Sequence, residues 1–188
     1  MTGSILVLCR GNLARSPIAA TLLESRLLDT QVQIASAGLS AERGRPASEV
    51  MASLAPRGVS RRLQAFESRP VSAEMIQSAD LVLTATRHQR AETVQRVVSA
   101  LTKTFTLREF AALAQEIDSK ARQDRTAITS VSELVALVPA VRGLRTLADG
   151  EFDVPDPYGR SKRTNRRAYA MIDDAVTVLA DVLTRVRS

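Results

Sequence analysis

The sequence of 188 residues contains a single cysteine, and this scarcity restricts the class of protein to which it can belong. One cysteine cannot build an intramolecular disulfide framework, so the composition fits a reducing compartment. No apolar run approaches the ~20 residues that a bilayer-spanning helix needs. The first residues also lack the basic and apolar regions of a secretory leader. These absences predict a cytoplasmic protein with no membrane partner.

Aromatic residues are also scarce, at 3% of the chain, although the formal net charge at pH 7 is +6. Surfaces that bind single-stranded nucleic acid usually interleave aromatic side chains with basic ones, so that the bases can stack. No such interleaving is present here, and we expect no nucleic-acid partner. The positive charge is equally compatible with an affinity for anionic substrates or with arginine-rich codon usage, so the charge alone decides nothing.

Short apolar or alternating segments predict strands at residues 5–8, 31–37, 80–85 and 103–107. Helices are predicted at residues 18–28, 47–55, 87–100, 108–121, 130–147 and 162–186, the fifth of them kinked or divided at Pro139. Strands that alternate with helices indicate βαβ units, and therefore a parallel sheet with helices on both faces. Without internal repeats or low-complexity linkers, residues 1–188 are expected to form one α/β domain.

The stretch from Cys9 to Pro17 lies between the first predicted strand and the first predicted helix. Ligands of an open parallel sheet bind just beyond the carboxyl ends of its strands, and a helix N-terminus attracts anions through its unpaired N–H groups. Gly11 and Asn12 tolerate left-handed backbone angles, which allow consecutive N–H groups to curl around one anion. Arg15 adds a planar guanidinium that can hold two phosphate oxygens. The pattern predicts a cradle for a tetrahedral anion.

Cys9 is predicted to lie at the floor of this cradle. A helix N-terminus and neighbouring cations favour the thiolate form of a cysteine, and the thiolate can attack a phosphorus atom held above it. Ser16 has two predicted roles, as the N-cap before Pro17 and as a hydrogen-bond donor to the sulfur. A buried strand cysteine followed by a capped helix would explain Ser16 and Pro17, but it would not explain Arg15.

Hydrolysis of a phosphate ester also needs a proton donor for the leaving oxygen. The chain has one histidine, His88, which we interpret as a surface residue at the start of a helix, so a carboxylate is the natural donor. Asp156 stands between two prolines that stiffen its loop, and Asp153 is the local alternative. The acidic residues at 149–156 lack the ligand spacing of a calcium loop, and no metal site is predicted.

These residues resemble the motifs of a known protein family. The segment from Val7 to Pro17 resembles the active-site signature of the low-molecular-weight protein-tyrosine phosphatases, and residues 156–158 resemble the loop that carries the general acid of that family. Residues 36–38 and 79–84 resemble further family positions in the expected order. The resemblance covers most of the chain except about residues 115–148, which we expect to form a helical insertion.

The resemblance implies a flavodoxin-like, phosphotyrosine phosphatase I-like fold with a four-stranded parallel sheet. It implies hydrolysis of phosphotyrosine through a phosphocysteine, with no metal or cofactor, on a protein substrate such as a bacterial tyrosine kinase. It leaves the oligomeric state open. The catalytic positions that it implies are Cys9, Arg15, Ser16 and Asp156, and the positions that bind phosphate or substrate are Arg10, Gly11, Asn12, Leu13, Ala14 and Tyr158.

The sequence departs from the family at two places around the pocket. Many members carry a second cysteine near the position of Ala14. Family pockets also often have an aromatic residue in the loop after residues 36–38, whereas residues 39–45 contain none. We therefore expect Arg43 or Arg45 to stack beside Tyr158 in its place, or the pocket to be wider.

Other activities on the same fold stay open. In the family, threonine at the position of Leu13 accompanies phosphoarginine hydrolysis, so Leu13 favours phosphotyrosine over a protein-arginine-phosphatase activity. An arsenate reductase coupled to a small thiol would need only Cys9, although the Asp156 motif fits a phosphatase better. A non-catalytic phosphate-binding module would have no reason to keep both Cys9 and Asp156.

Overall fold

The computed structural model describes residues 1–141 and 152–185. Its centre is a parallel sheet of four strands in the order β2-β1-β3-β4. The strands are β1 (Thr2–Cys9), β2 (Gln31–Gly38), β3 (Leu81–Thr84) and β4 (Thr104–Thr106). Strand β1 pairs with β2 on one side and β3 on the other, and Cys9 lies opposite Gly38. The central strand therefore delivers Cys9 to the carboxyl edge of the sheet.

Helices connect the strands, because parallel neighbours need a crossover between them. They are α1 (Arg15–Arg26), α2 (Glu49–Ala52), α3 (Arg57–Gln64), α4 (Ala73–Ser78), α5 (Arg87–Arg96), a 3₁₀ helix (Val98–Lys103), α6 (Leu107–Asp124), α7 (Val131–Ala136), α8 (Val138–Val141) and α9 (Lys162–Arg185). None of these helices is long and apolar enough to cross a membrane.

The two faces of the sheet bury different residues of β1. Ile5 and Val7 pack in a large apolar cluster with helices α1, α6 and α9. Leu6 and Leu8 pack in a smaller cluster on the other face, together with Ile76 of α4. Alternate residues of a strand point to opposite faces, so a continuous apolar strand is buried on both sides. The predicted α/β class, with helices on both faces of a parallel sheet, is confirmed.

The structure corrects the predictions for residues 47–78. The helix predicted at residues 47–55 is only the short α2, and α3 and α4 were not predicted. Pro56 and Gly58 suggested the end of a helix, but Pro56 occupies the N-cap position of α3, where its missing N–H is harmless. Val59 and Leu63, four residues apart, then bury one face of α3. Helix α4 buries only Ile76, which is too little to give a periodic signal.

The expected insertion at residues 115–148 contributes to the core in its described part. Helix α6 continues through Asp124 and packs along α9, with Ile117 buried. The helix predicted at residues 130–147 is divided into α7 and α8, and Pro139 is the second residue of α8. The main-chain N–H of Thr2 donates to Thr129 O at 3.2 Å, so this segment is also attached to the start of β1. Residues 142–148 lie outside the described ranges.

A prediction follows from the close passage of β2 beneath the loop after β1. A Cβ atom on Gly38 would lie 2.8 Å from both Arg10 O and Asn12 N, and 2.7 Å from Ala41 Cβ. Backbone atoms cannot rotate away, so we expect Gly38→Ala to lower the free energy of unfolding by about 1–3 kcal/mol in a denaturant titration. Gly58 of α3 is the matched control, since an added Cβ there meets no atom within 4 Å. Gly58→Ala should raise stability by about 0.5–1 kcal/mol, and a gain in both variants would contradict the close contact.

Candidate active site

The loop between β1 and α1 forms one wall of a small cavity at the carboxyl edge of the sheet. The cavity has a volume of about 120 Å³. Its lining residues are Cys9, Arg10, Gly11, Leu13, Ala14, Arg15, Asp156 and Tyr158. The loop is held against the end of β2, since Leu39 N donates to Cys9 O and Ser40 N to Arg10 O, both at 2.9 Å. Two distant motifs of the sequence therefore meet around one cavity. The remaining predicted site residues, Asn12 and Ser16, do not line it and are buried.

The Cys9 sulfur is hydrogen-bonded inside the protein. Its Sγ atom lies 3.0 Å from Ser16 Oγ, and Asn12 Nδ2 donates to the same Ser16 oxygen at 3.0 Å. The Ser16 hydrogen can point to Cys9 Sγ or, at 3.4 Å, to Ala37 O. A thiolate can only accept, so Ser16 donates to the sulfur whenever Cys9 is ionised.

The N-cap role predicted for Ser16 is wrong. Helix α1 begins at Arg15, and the N-cap position belongs to Ala14, which has no side-chain cap. Ser16 is the second residue of the helix and Pro17 the third. The first four N–H groups of a helix have no intrahelical acceptor, so a proline is tolerated at the third residue as well as at the first. Because Ser16 does not cap the helix, its hydroxyl can hydrogen-bond to the Cys9 sulfur.

Asn12 shapes the loop. Of the two residues expected to tolerate left-handed backbone angles, Asn12 adopts one, with φ of 53°, and Gly11 does not. The Asn12 side chain is fully buried; besides Ser16, its Nδ2 donates to Ser36 Oγ at 3.0 Å, and its Oδ1 accepts from Arg69 N at 3.0 Å. From the sequence, Ser36 is recognised only as part of the family-like segment 36–38, and Arg69 is not recognised as a residue of the site. Nothing near Arg69 in the sequence indicates that its main chain meets this loop.

The guanidinium of Arg15 is buried in the wall of the cavity. The Arg15 side chain is 6% exposed, and its Nη2 atom pairs with Asp156 Oδ2 at 2.8 Å. Its Nη1 atom donates to Val154 O at 3.3 Å, whereas its Nε atom is buried without a hydrogen-bond partner. A buried donor of a charged group is expensive to leave unpaired. The arrangement therefore favours an anion in the cavity.

The loop that carries Asp156 is held at both ends. Val154 N donates to Ala85 O at 2.9 Å, just after β3. At the other end, Asn165 of α9 donates from Nδ2 to Pro157 O at 3.2 Å. Asp153, the alternative acid, accepts from Arg87 N at 2.8 Å at the start of α5, and it does not line the cavity. Of the two carboxylates, only Asp156 faces the Cys9 cavity.

The outer rim of the cavity carries two further guanidinium groups. Arg10 reaches away toward Glu92 of α5, with 3.2 Å between Nη2 and Oε2. Arg45 donates from Nη2 to the Tyr158 hydroxyl at 3.3 Å, so of the two arginines expected beside Tyr158 it is Arg45 that contacts it. His88 is exposed in the first turn of α5, as expected for a surface residue.

No metal-binding cluster is present among residues 1–141 and 152–185, where no three His, Cys, Asp or Glu side chains could hold an ion together. Asp149 and Glu151, the other acidic residues of the turn-rich segment, lie outside the described ranges. The cavity therefore combines the thiol of Cys9, the guanidinium of Arg15 and the carboxyl group of Asp156 around a space large enough for a small anion.

Comparison with known proteins points to one family. Residues 4–135 match the family described as low molecular weight phosphotyrosine protein phosphatase. The chain is 33% identical over 190 residues to the probable low molecular weight protein-tyrosine-phosphatase AmsI of Erwinia amylovora, with 98% of this chain and all of that protein covered. It is 38% identical over 107 residues to a protein-arginine-phosphatase of Geobacillus stearothermophilus, which covers 56% of this chain and 70% of that protein.

A solved structure of the YwlE arginine phosphatase from Geobacillus stearothermophilus superimposes with a TM-score of 0.68. Its sequence is 28% identical, and the superposition covers 97% of this chain and 94% of the other. The superposition therefore covers nearly the whole chain.

The Asn12 contacts predict a graded loss of stability. Asn12→Gly keeps access to the left-handed angle but removes the partners of Ser16, Ser36 and Arg69, so we expect the free energy of unfolding to fall by about 1–3 kcal/mol. Asn12→Ala should lose about 1–2 kcal/mol more, because a Cβ atom disfavours a φ of 53°. Denaturant titration of both variants measures the difference. An alanine variant at least as stable as the glycine variant would contradict the backbone argument.

Proposed function

The chain belongs to the low molecular weight phosphotyrosine protein phosphatase family, and from this membership we propose that it removes phosphate from phosphotyrosine in proteins. It is a cysteine-dependent phosphomonoester hydrolase. The proposal assigns Cys9 as nucleophile, Arg15 as phosphate clamp, Asp156 as general acid and Ser16 as donor to the sulfur.

One observation carries the assignment of roles. Arg15 Nη2 and Asp156 Oδ2 come from distant parts of the chain and lie 2.8 Å apart in a cavity that Cys9 also lines. A bound phosphate would place its oxygens on the loop N–H groups and on Arg15, including the unpaired Nε donor. Because the phosphate competes with Asp156 for the guanidinium, the Asp156 carboxyl is released toward the leaving oxygen.

In the first step, the Cys9 thiolate attacks phosphorus and the bond from phosphorus to the tyrosine oxygen breaks. Asp156 gives its proton to that oxygen, so tyrosine leaves as a neutral phenol and Asp156 becomes a carboxylate. Arg15 and the loop N–H groups stabilise the charge that develops on the phosphate oxygens. The product on the enzyme is a phosphocysteine.

In the second step, water attacks the same phosphorus atom. The Asp156 carboxylate accepts a proton from that water, and the bond between sulfur and phosphorus breaks. The Ser16 hydroxyl, 3.0 Å from Cys9 Sγ, stabilises the thiolate that leaves. Inorganic phosphate is released, and both Cys9 and Asp156 return to their starting protonation states.

The wall of the cavity supports an aromatic substrate. Leu13 and Tyr158 line the same cavity as Cys9 and contribute apolar surface, which suits the phenyl ring of phosphotyrosine. Phosphoarginine is the second candidate substrate, because the relative with 38% identity is named a protein-arginine-phosphatase. The apolar Leu13 favours phosphotyrosine between the two. As a natural substrate we propose a phosphorylated tyrosine kinase, by analogy with the family.

The assignment predicts that Cys9→Ser abolishes turnover and still binds oxyanions. The N–H groups and Arg15 hold a tetrahedral anion independently of the sulfur, so the affinity for sulfate or inorganic phosphate should stay within roughly tenfold of the wild-type value. Wild-type kcat/KM should be higher for phosphotyrosine than for phosphoarginine, and arsenate with glutathione should give no reduction. Near wild-type turnover by Cys9→Ser would reject the nucleophile, and a preference for phosphoarginine would reject the substrate.

The general acid is tested by comparing leaving groups. Asp156→Asn should lower kcat/KM by roughly 10²–10⁴ for phosphate esters of poor leaving groups, and only slightly for activated aryl phosphates that leave without a proton. Asp153→Asn is the matched control, because it changes a carboxylate of the same loop that does not line the cavity. This control should keep the wild-type dependence on the leaving group. A uniform loss across the series for Asp156→Asn would mean that Asp156 only shapes the loop.

A further inference from the structure

Arg45 lies at the outer end of the pocket wall. Tyr158 lines the cavity, and its hydroxyl accepts a hydrogen bond from Arg45 Nη2 at 3.3 Å. The Arg45 guanidinium therefore lies beside one wall of the cavity that contains Cys9. With phosphotyrosine in this cavity, a neighbouring residue of a protein substrate would lie outside it, within reach of this rim. Arg45 is thus placed to contact the substrate chain rather than the phosphate.

The main chain of Arg45 is held in place by a buried serine. Arg45 N donates to Ser68 Oγ at 3.0 Å, and Ser68 N donates back to Arg45 O at 2.8 Å. The Ser68 hydroxyl donates in turn to Glu42 O, and Ser68 is 1% exposed. The next residue, Arg69, donates its N–H to Asn12 in the cradle loop. The rim that carries Arg45 and the loop that lines the cavity are therefore attached to the same short segment, residues 68–69.

The ion pair that Arg45 makes within the protein is easily exchanged. Its Nη1 atom lies 3.3 Å from Glu42 Oε2, and the side chains of Arg45 and Glu42 are 48% and 77% exposed. Exposed ion pairs of this kind contribute little free energy. Arginine also has five N–H donors, so the contacts to Glu42 and Tyr158 leave others for a second carboxylate. The carboxylate of a substrate can replace Glu42 at little cost.

Arg10, the other cation of the rim, is less available. It pairs with Glu92, which is 21% exposed and also pairs with Arg96 at 2.7 Å. Arg10 Nη1 donates to Ser40 Oγ at 3.3 Å as well. These contacts direct the Arg10 guanidinium toward α5, whereas Arg45 stays beside the pocket wall.

We propose that Arg45 is a specificity-determining residue that binds an acidic residue adjacent to phosphotyrosine, and that Glu42 is the internal carboxylate that the substrate replaces. The substrate class is a protein segment in which phosphotyrosine is flanked by aspartate or glutamate. This inference rests on the phosphotyrosine phosphatase activity proposed above. It adds that the residues next to phosphotyrosine are also recognised, which a small aryl phosphate cannot test because it has no neighbouring residues.

The test compares a phosphotyrosine peptide that has aspartates on both sides with the same peptide carrying asparagines. Wild-type kcat/KM should be roughly three- to tenfold higher for the acidic peptide at low salt, and the ratio should fall as ionic strength rises. Arg45→Gln should bring the ratio close to one, and Arg45→Lys should keep only part of it because lysine lacks the planar fork. Arg43→Gln, an exposed arginine of the same loop, is the matched control and should keep the wild-type ratio.

Glu42→Gln should change the ratio of kcat/KM between the acidic and the asparagine peptide in the direction opposite to Arg45→Gln. Removing the internal carboxylate should raise the ratio for the acidic peptide above that of the wild type, a change that a merely structural role would not produce. An unchanged ratio in Glu42→Gln, or an equal loss on both peptides in Arg45→Gln, would overturn the proposal. Free phosphotyrosine is assayed first. If the wild type hydrolyses it but does not distinguish the peptides, only the specificity proposal fails; if free phosphotyrosine is not hydrolysed, both proposals fail.

Discussion

The buried side chain of Asn12 is the contact on which the rest of the site depends. It accepts from the main chain of Arg69, and it donates to Ser36 in β2 and to Ser16 in α1. One amide thus joins the loop, the neighbouring strand, the first helix and the segment that supports the rim. The left-handed angle at Asn12 turns the loop back on itself, and these hydrogen bonds offset the strain of that angle. Gly38 of β2 lies directly beneath this loop with no room for a Cβ atom, so it also restricts the position of the loop.

The charge distribution follows from this geometry. The loop places Arg15 in the interior, and within residues 1–141 and 152–185 its carboxylate partner is the half-exposed Asp156. A buried cation with an unpaired Nε donor is unfavourable by itself, and an anion in the cavity relieves it. In the proposed mechanism, the same guanidinium holds Asp156 in position and exchanges it for the phosphate, and Ser16 stabilises the Cys9 thiolate.

The accuracy of the sequence-based interpretation varied with the kind of signal. Unbroken apolar runs located β1 and β3, whose apolar residues are buried on both faces of the sheet, and an alternating pattern located β2. The helices α3 and α4 were missed because they are short and bury few residues. Local signals predict a capping role for Ser16, whereas the helix begins two residues earlier than predicted and the Ser16 hydroxyl contacts the Cys9 sulfur. Local patterns do not reveal where a hydroxyl finds its partner when several are within reach.

The sequence by itself determined the parallel α/β architecture and the position of Cys9 at the end of a buried strand, and it predicts that the loop after this strand binds an anion. These properties depend on periodicity and on neighbouring residues, which are visible along the chain. Only the tertiary structure decided that Asp156 rather than Asp153 faces Cys9, and that Arg69 and Ser68 support the cradle and the rim. It also decided that Arg45 contacts Tyr158. Each of these contacts joins segments far apart in the chain, and their distance is set by the packing of the whole domain.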